Sequence, residues 1–287
     1  MIACRPVVVA VLLLGLSACS SGSDDPAPDA GTPGTAAPSS SAPAPADDAS
    51  YVALGDSFTA GPGITEQQPD SGLCQRSTRN WPALLATDVG LPVTDVSCSG
   101  ATTADLVETV TSGVLDKGPR LVTVSSGGND GGLFSSLLQA CAGGGGTCSD
   151  YVRDQVPRIL QKTTDDLAAL LDDVTTKVPD AQVVLVGYPR IAPDTGSCPA
   201  IGISDTAPVL AAETALDAAL ADAGQRAGVP YVSLRDGSSG HDACAGADAW
   251  TNGVSAPSGD GIIFHPNARG MQGVAKIVGQ AVERAAG

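Results

Sequence analysis

Four short segments of this chain hold residue types that could act together on a carbonyl carbon. Ser57 lies in Gly55-Asp56-Ser57-Phe58-Thr59-Ala60-Gly61, Gly100 in Cys98-Ser99-Gly100-Ala101-Thr102-Thr103, Asn129 in Gly127-Gly128-Asn129-Asp130, and His265 in Phe264-His265-Pro266-Asn267. A serine hydroxyl is a weak nucleophile until a base within hydrogen-bond reach takes its proton. The chain has 2 histidines, and His265 is the better base: Pro-Asn and a helical stretch follow it, whereas His241 sits beside Cys244 and reads as structural or pocket-lining. The oxyanion that forms needs preorganised donors, each worth about 3 kcal/mol in hydrolases. Ser57 N–H, Gly100 N–H and the Asn129 amide could supply them, which completes the parts for acyl transfer. Singly, each segment also reads as a plain turn or helix start. Their conjunction and order carry the reading. Asp56 and Asp130 are expected to be local acceptors that fix the loops around Ser57 and Asn129. Tyr188, Phe58, Phe264 and Trp250 are candidates for pocket walls.

Such residues must be positioned by a scaffold, and the chain offers five short apolar runs: Tyr51 to Leu54, Val93 to Val96, Leu121 to Val124, Val183 to Val186, and Tyr231 to Leu234. Runs of this kind suit strands buried on both faces of a parallel sheet. Helical stretches separate them. Leu167, Leu170, Leu171 and Val174 fall at i, i+3, i+4 and i+7 before Pro179, an Ala-rich helix is expected from about Pro208 to Ala223, and another closes the chain after Pro266. The alternation predicts a three-layer α/β/α sandwich with a parallel, roughly five-stranded sheet and right-handed crossovers. In such sheets functional groups gather beyond the carboxyl ends of the strands, where Ser57, Gly100 and Asn129 each follow a strand.

Composition narrows the function. The 287 residues carry a net charge of −16, which opposes binding to nucleic acid or anionic lipid headgroups. With only 2 Trp, 4 Tyr and 3 Phe, neither a base-stacking platform nor a broad aromatic sugar-binding face can be assembled. No Gly-x-Ser-x-Gly elbow, His-Glu-x-x-His or Cys-x-x-Cys occurs, and no Lys follows Gly127-Gly128-Asn129-Asp130 as a phosphate loop requires.

Residues 1–18 read as a signal peptide: Arg5, an apolar run from Val7 to Leu16, then Leu16-Ser17-Ala18 before Cys19. The apolar run is too short to span a bilayer of roughly 30 Å as a helix. The small residues before Cys19 resemble a bacterial lipobox, which implies lipidation of Cys19 and a membrane anchor. Apart from Cys19, Thr32 and Thr35, residues 19–50 are Ser, Ala, Pro, Asp and Gly with no large apolar residue, a disordered tether. The catalytic domain is expected over 51–287. The protein is thus expected to be exported, either lipid-anchored at the outer face of the cell membrane or secreted, and monomeric. Cys74, Cys98, Cys141, Cys148, Cys198 and Cys244 remain, an even number that suggests three disulfides among many possible pairings.

The blocks Gly55-Asp56-Ser57, Gly100, Gly127-Gly128-Asn129-Asp130 and His265 resemble the GDSL, or SGNH, hydrolase family, over essentially all of 51–287. The six cysteines, Cys198-Pro199, and Gly240-His241-Asp242-Ala243-Cys244 followed by Trp250 look like its secreted actinomycete lipase and esterase branch. The resemblance implies a flavodoxin-like sandwich, a serine nucleophile at Ser57 with His265 as base, ester hydrolysis on a lipid or small ester, and neither cofactor nor metal. It also implies the pairs Cys74–Cys98, Cys141–Cys148 and Cys198–Cys244. An O-deacetylase or acyltransferase on cell-wall glycans, or a non-catalytic surface binding lipoprotein, are the competing readings. One position departs from the family pattern: Ile262 stands where many members place an Asp three residues before the histidine. Either a main-chain carbonyl, that of Ile262 being the first candidate, orients His265, or Asp260 reaches it around the loop.

Overall fold

The apolar runs form five strands, β1 (Tyr51–Gly55), β2 (Val93–Asp95), β3 (Leu121–Ser125), β4 (Gln182–Val186) and β5 (Tyr231–Val232), in a computed structural model that describes residues 50–142, 146–194 and 197–286. The expected signal peptide, Cys19 and nearly all of the tether lie outside the described residues. All strand pairs are parallel and the order is β2-β1-β3-β4-β5, with Tyr51 level with both Val93 and Leu121. This is the doubly wound order, which places a crevice where the winding reverses, at β1 and β3. Ser57 and Asn129 follow those two strands.

The helices are α1 (Ser57–Ala60), α2 (Trp81–Val89), α3 (Thr103–Thr111), α4 (Leu133–Ala142), α5 (Thr147–Asp154), α6 (Val156–Lys177), α7 (Ala207–Arg226) and α8 (Ala268–Ala286). Alternate residues of each strand point to opposite faces, and both faces are covered. Val52, Leu54, Val122 and Val124 pack with Leu106 of α3, Leu167 and Leu171 of α6 and Leu220 of α7. Tyr51, Ala53, Leu121 and Val184 pack with Trp81 and Leu85 of α2 and Met271 and Val274 of α8. The three layers follow from strands with no polar face to leave wet. A third cluster of buried apolar residues, including Phe58, Leu133, Leu137, Ile191 and Val209, gathers around α4 and α7.

Three disulfides form, Cys74–Cys98, Cys141–Cys148 and Cys198–Cys244, the pairs that the resemblance implied. The first bears on the site. It fastens the segment after α1 to the turn carrying Gly100, and the Ser99 N–H and Oγ both donate to the Cys74 carbonyl, at 3.1 and 2.8 Å. The second ties α4 to α5.

Candidate active site

β1 ends at Gly55, where any side chain would collide with Thr59, whose Oγ1 lies 2.2 Å from a Cβ placed there. This close approach lets the chain turn at once into α1. Asp56 caps that single turn, its Oδ1 accepting from Phe58 N at 2.9 Å, and Ser57 takes the first helical position. There the Ser57 N–H has no intrahelical acceptor.

Across the crevice, His265 Nε2 lies 2.8 Å from Ser57 Oγ. Its Nδ1 lies 2.8 Å from the Ile263 carbonyl oxygen. A carbonyl can only accept, so the proton of this contact sits on Nδ1 and the Nε2 lone pair faces the serine. The carbonyl belongs to Ile263 rather than to Ile262, which instead accepts from the His265 N–H at 3.3 Å. The reason is local: Phe264 stands at φ 57, in the left-handed region, which turns the Ile263 carbonyl back toward the ring. Asp260 does not reach His265. Its Oδ1 accepts from Ala268 N at 2.7 Å, at the start of α8, where Asn267 also caps by accepting from Gly270 N at 2.9 Å. Burial holds the imidazole below its ordinary value of 6.5, while the bond to Ile263 pulls the other way. A neutral imidazole with a free Nε2 lone pair can take the serine proton.

The His265 segment is also fastened to the serine segment. Ile64 and Asp260 form an antiparallel bridge, and a side chain at Gly63 would meet Ile262 and the Gly261 carbonyl within 2.9 Å.

Gly100 stands at φ 83 in an exposed turn with nothing within 4 Å of where its Cβ would be, and it is not among the residues that line the cleft beside Ser57. Asn129 Nδ2 donates to the Ala101 carbonyl at 3.0 Å, which leaves its second N–H to point elsewhere. Asp130 is not the local acceptor expected from the sequence. Its Oδ1 takes the Thr103 N–H of α3 at 2.8 Å and so ties the Asn129 loop to the segment after Gly100. Asp56 is the local acceptor expected, through its bond from Phe58 N, and it also reaches far beyond its own loop: its Oδ2 accepts from the Tyr188 hydroxyl at 2.7 Å.

Ser57, Phe58, Asn129 and Tyr188 open into a cleft walled by Leu133, Phe134 and Leu137 of α4 and by Val209, Ala212 and Leu216 of α7. Glu213, Asp217 and Arg235 also line it, and Glu213 pairs with Arg235 at 3.1 Å. Phe134, which the sequence reasoning missed, packs edge-on against both Phe58 and His265, with ring centroids 5.9 and 5.8 Å away. Its only signal was its place on the apolar face of a helix. Trp250 does not line the cleft: it stacks on His241 at 4.5 Å, and His241 Nδ1 bonds the Asp248 carbonyl. Phe264 serves as the left-handed turn and packs against the apolar cluster around α4 and α7.

The sequence from 53 to 272 matches the family model described as the GDSL-like Lipase/Acylhydrolase family. A lipase of Streptomyces rimosus is 33% identical over 224 residues, covering 77% of this chain and 82% of that one. Lipase 2 of Streptomyces coelicolor is 34% identical over 247 residues, covering 79% and 83%. Among solved structures, the extracellular lipase of S. rimosus superposes with a TM-score of 0.71 at 32% identity, covering 81% of this chain and 99% of that one. The phospholipase A1 of Streptomyces albidoflavus gives a TM-score of 0.68 at 29% identity, covering 81% and 98%. With its family match spanning residues 53 to 272 and relatives above 30% identity over more than three quarters of its length, the chain belongs to the GDSL-like Lipase/Acylhydrolase family.

Proposed function

We propose that the protein is a serine carboxylic-ester hydrolase, a lipase or esterase, in which Ser57 and His265 act as a dyad. The observation that carries this is the 2.8 Å contact between Ser57 Oγ and His265 Nε2, with Nδ1 held by the Ile263 carbonyl. Nε2 takes the hydroxyl proton as Oγ bonds to the ester carbon. The oxygen that gains negative charge is met by Ser57 N–H, Gly100 N–H and the Asn129 amide. As the tetrahedral intermediate collapses, the C–O bond to the alcohol breaks and His265 returns the proton to the leaving oxygen. Water, deprotonated by the same nitrogen, then releases the acid and restores Ser57.

The apolar walls from α4 and α7 favour an acyl chain over a bare acetyl group, and hence a lipase or esterase over a glycan O-deacetylase. The Streptomyces relatives named lipase and phospholipase A1 support the same class. The test is hydrolysis of p-nitrophenyl esters from acetate to palmitate, with Ser57→Ala alongside. Turnover that vanishes in the variant is expected. Turnover on acetate alone would favour the deacetylase, and none on any ester by folded, oxidised protein would favour the binding lipoprotein.

Three disulfides suit an exported protein. We further propose lipid anchoring at Cys19, supported by the residues that precede it. Among the described residues no helix is long and apolar enough to cross a membrane. Cys19→Ala is expected to move the protein from the membrane fraction to the medium.

A further inference from the structure

We propose that Tyr188 is a positioning residue for ester hydrolysis, its hydroxyl locking the loop that carries Ser57 to the loop that carries Asn129; this rests on the ester-hydrolase reading above. Tyr188 follows β4, and nothing in the four sequence blocks points to it. Its hydroxyl donates to Asp56 Oδ2 at 2.7 Å and accepts from Gly128 N–H at 3.0 Å. Asp56 adjoins the nucleophile and Gly128 adjoins Asn129, so one oxygen atom spans the gap between two functional residues, each a single peptide away.

The donor and acceptor senses leave little choice. A backbone N–H only donates and an ionised carboxylate only accepts, so the tyrosine must present its proton to Asp56 and a lone pair to Gly128. The ring is held as well. It packs edge-on against Phe58 at 5.3 Å, and a side chain at Gly128 would meet the ring and hydroxyl at 3.2 Å, so glycine there is what lets the tyrosine in.

The titratable groups facing Asp56 keep the protons in this order. Burial is the chief influence, and the nearby Asp130 charge adds to it. Against them, the Tyr188 and Phe58 bonds favour the ionised form, and the carboxyl settles at about 6. Burial and the Asp56 charge push the Tyr188 hydroxyl well above its ordinary range. At neutral pH the tyrosine therefore holds its proton and Asp56 is the acceptor.

Packing alone could be served by phenylalanine, whereas the lock could not. Tyr188→Phe keeps the ring but leaves Asp56 Oδ2 and Gly128 N–H unpaired, which frees the two loops to shift. An oxyanion donor displaced in this way costs transition-state binding rather than substrate binding. With p-nitrophenyl butyrate as probe, kcat of Tyr188→Phe is expected to fall by about tenfold or more, with KM changed by less than about threefold. The loss should shrink on an Asn129→Ala background, because both changes then act on the same donor. An unchanged kcat, a rise in KM alone, or full additivity with Asn129→Ala would overturn the proposal.

Should Tyr188→Phe fail to fold, Asp56→Asn tests the same bond from its other end. The amide still accepts from Phe58 N but turns its NH2 toward the tyrosine oxygen, leaving the phenolic proton without an acceptor. A fall in kcat is expected there too, and an unchanged kcat overturns the proposal. Ester turnover that survives Ser57→Ala would instead overturn the hydrolase reading and this inference with it. Active wild type with an unaffected Tyr188→Phe overturns only the inference.

Discussion

Ile64 and Asp260 pair in an antiparallel bridge, so the residue just past the serine segment fixes the backbone five residues before His265. The Asp260 side chain is turned from the imidazole to the Ala268 N–H. This gives the carboxylate a structural duty and leaves orientation of the imidazole to the Ile263 carbonyl.

Asp260→Asn is therefore expected to change kcat by less than about threefold, since its oxygen can still accept from Ala268 N. Asp260→Ala is expected to lower stability by about 1 kcal/mol, the usual worth of a cap, readable by denaturant unfolding. A kcat loss well beyond tenfold in Asp260→Asn would mean that the carboxylate orients His265 after all.

The pH profile of kcat/KM has a stated direction. Only neutral His265 can take the Ser57 proton, and burial holds this imidazole below 6.5. Activity should rise with pH along an acid limb centred below 6.5, then level off. A limb centred at or above 6.5 in a rate-versus-pH titration would contradict that placement.

Asp56 makes a separate mark on stability. Its carboxyl goes from 3.8 to about 6 on folding, so the folded state holds that proton more tightly than the unfolded chain. Stability from this group is full below about pH 4, is lost as pH rises toward 6, and changes no further above it. The difference corresponds to about 3 kcal/mol at most. Unfolding free energies of wild type and Asp56→Asn, compared between pH 4 and 8, should diverge by up to that amount and in that window, with wild type falling relative to the variant. Parallel curves would show that Asp56 titrates normally.

Breaking Cys74–Cys98 by a double Cys→Ala change should lower stability by about 3 kcal/mol, the scale for a loop of this size. Because Ser99 hangs on the Cys74 carbonyl and Gly100 follows it, kcat should fall as well. Thermal melts and ester kinetics check the pair; a lower melting point with unaltered kcat would detach Gly100 from the oxyanion.

Leu138 of α4 is half-buried and lines the cleft. Leu138→Trp should fill part of the acyl channel and shift the preferred p-nitrophenyl ester to a shorter chain, leaving acetate turnover within about twofold. An unmoved chain-length profile would place the acyl group elsewhere.

Much of this was legible in the sequence because parallel strands with two buried faces write themselves as short apolar runs, as Leu121 to Val124 does. The loops after β1 and β3 were legible only in conjunction: Ser57 and the Gly127-Gly128-Asn129 run each read singly as a turn, and it is their order, each after its own strand, that singles them out. What escaped was whatever depends on three-dimensional reach. Tyr188 lies 132 residues from Asp56, and no spacing announces their bond. The choice of Ile263 over Ile262 hangs on one backbone angle at Phe264, a residue type with no preference for that region. Phe134 belongs to a helix whose apolar face reads like any other core, so its place against His265 carried no separate signal.

The acceptor that holds His265 is part of the peptide bond at position 263, and the side chain there is 49% exposed. No codon spells that oxygen. Whatever amino acid a mutation writes at 263, the carbonyl remains, so drift at this site cannot delete the group that aims the imidazole as it could delete an aspartate. The carbonyl also has no proton of its own to gain or lose in acid, so the hold on the imidazole is indifferent to the medium outside the cell.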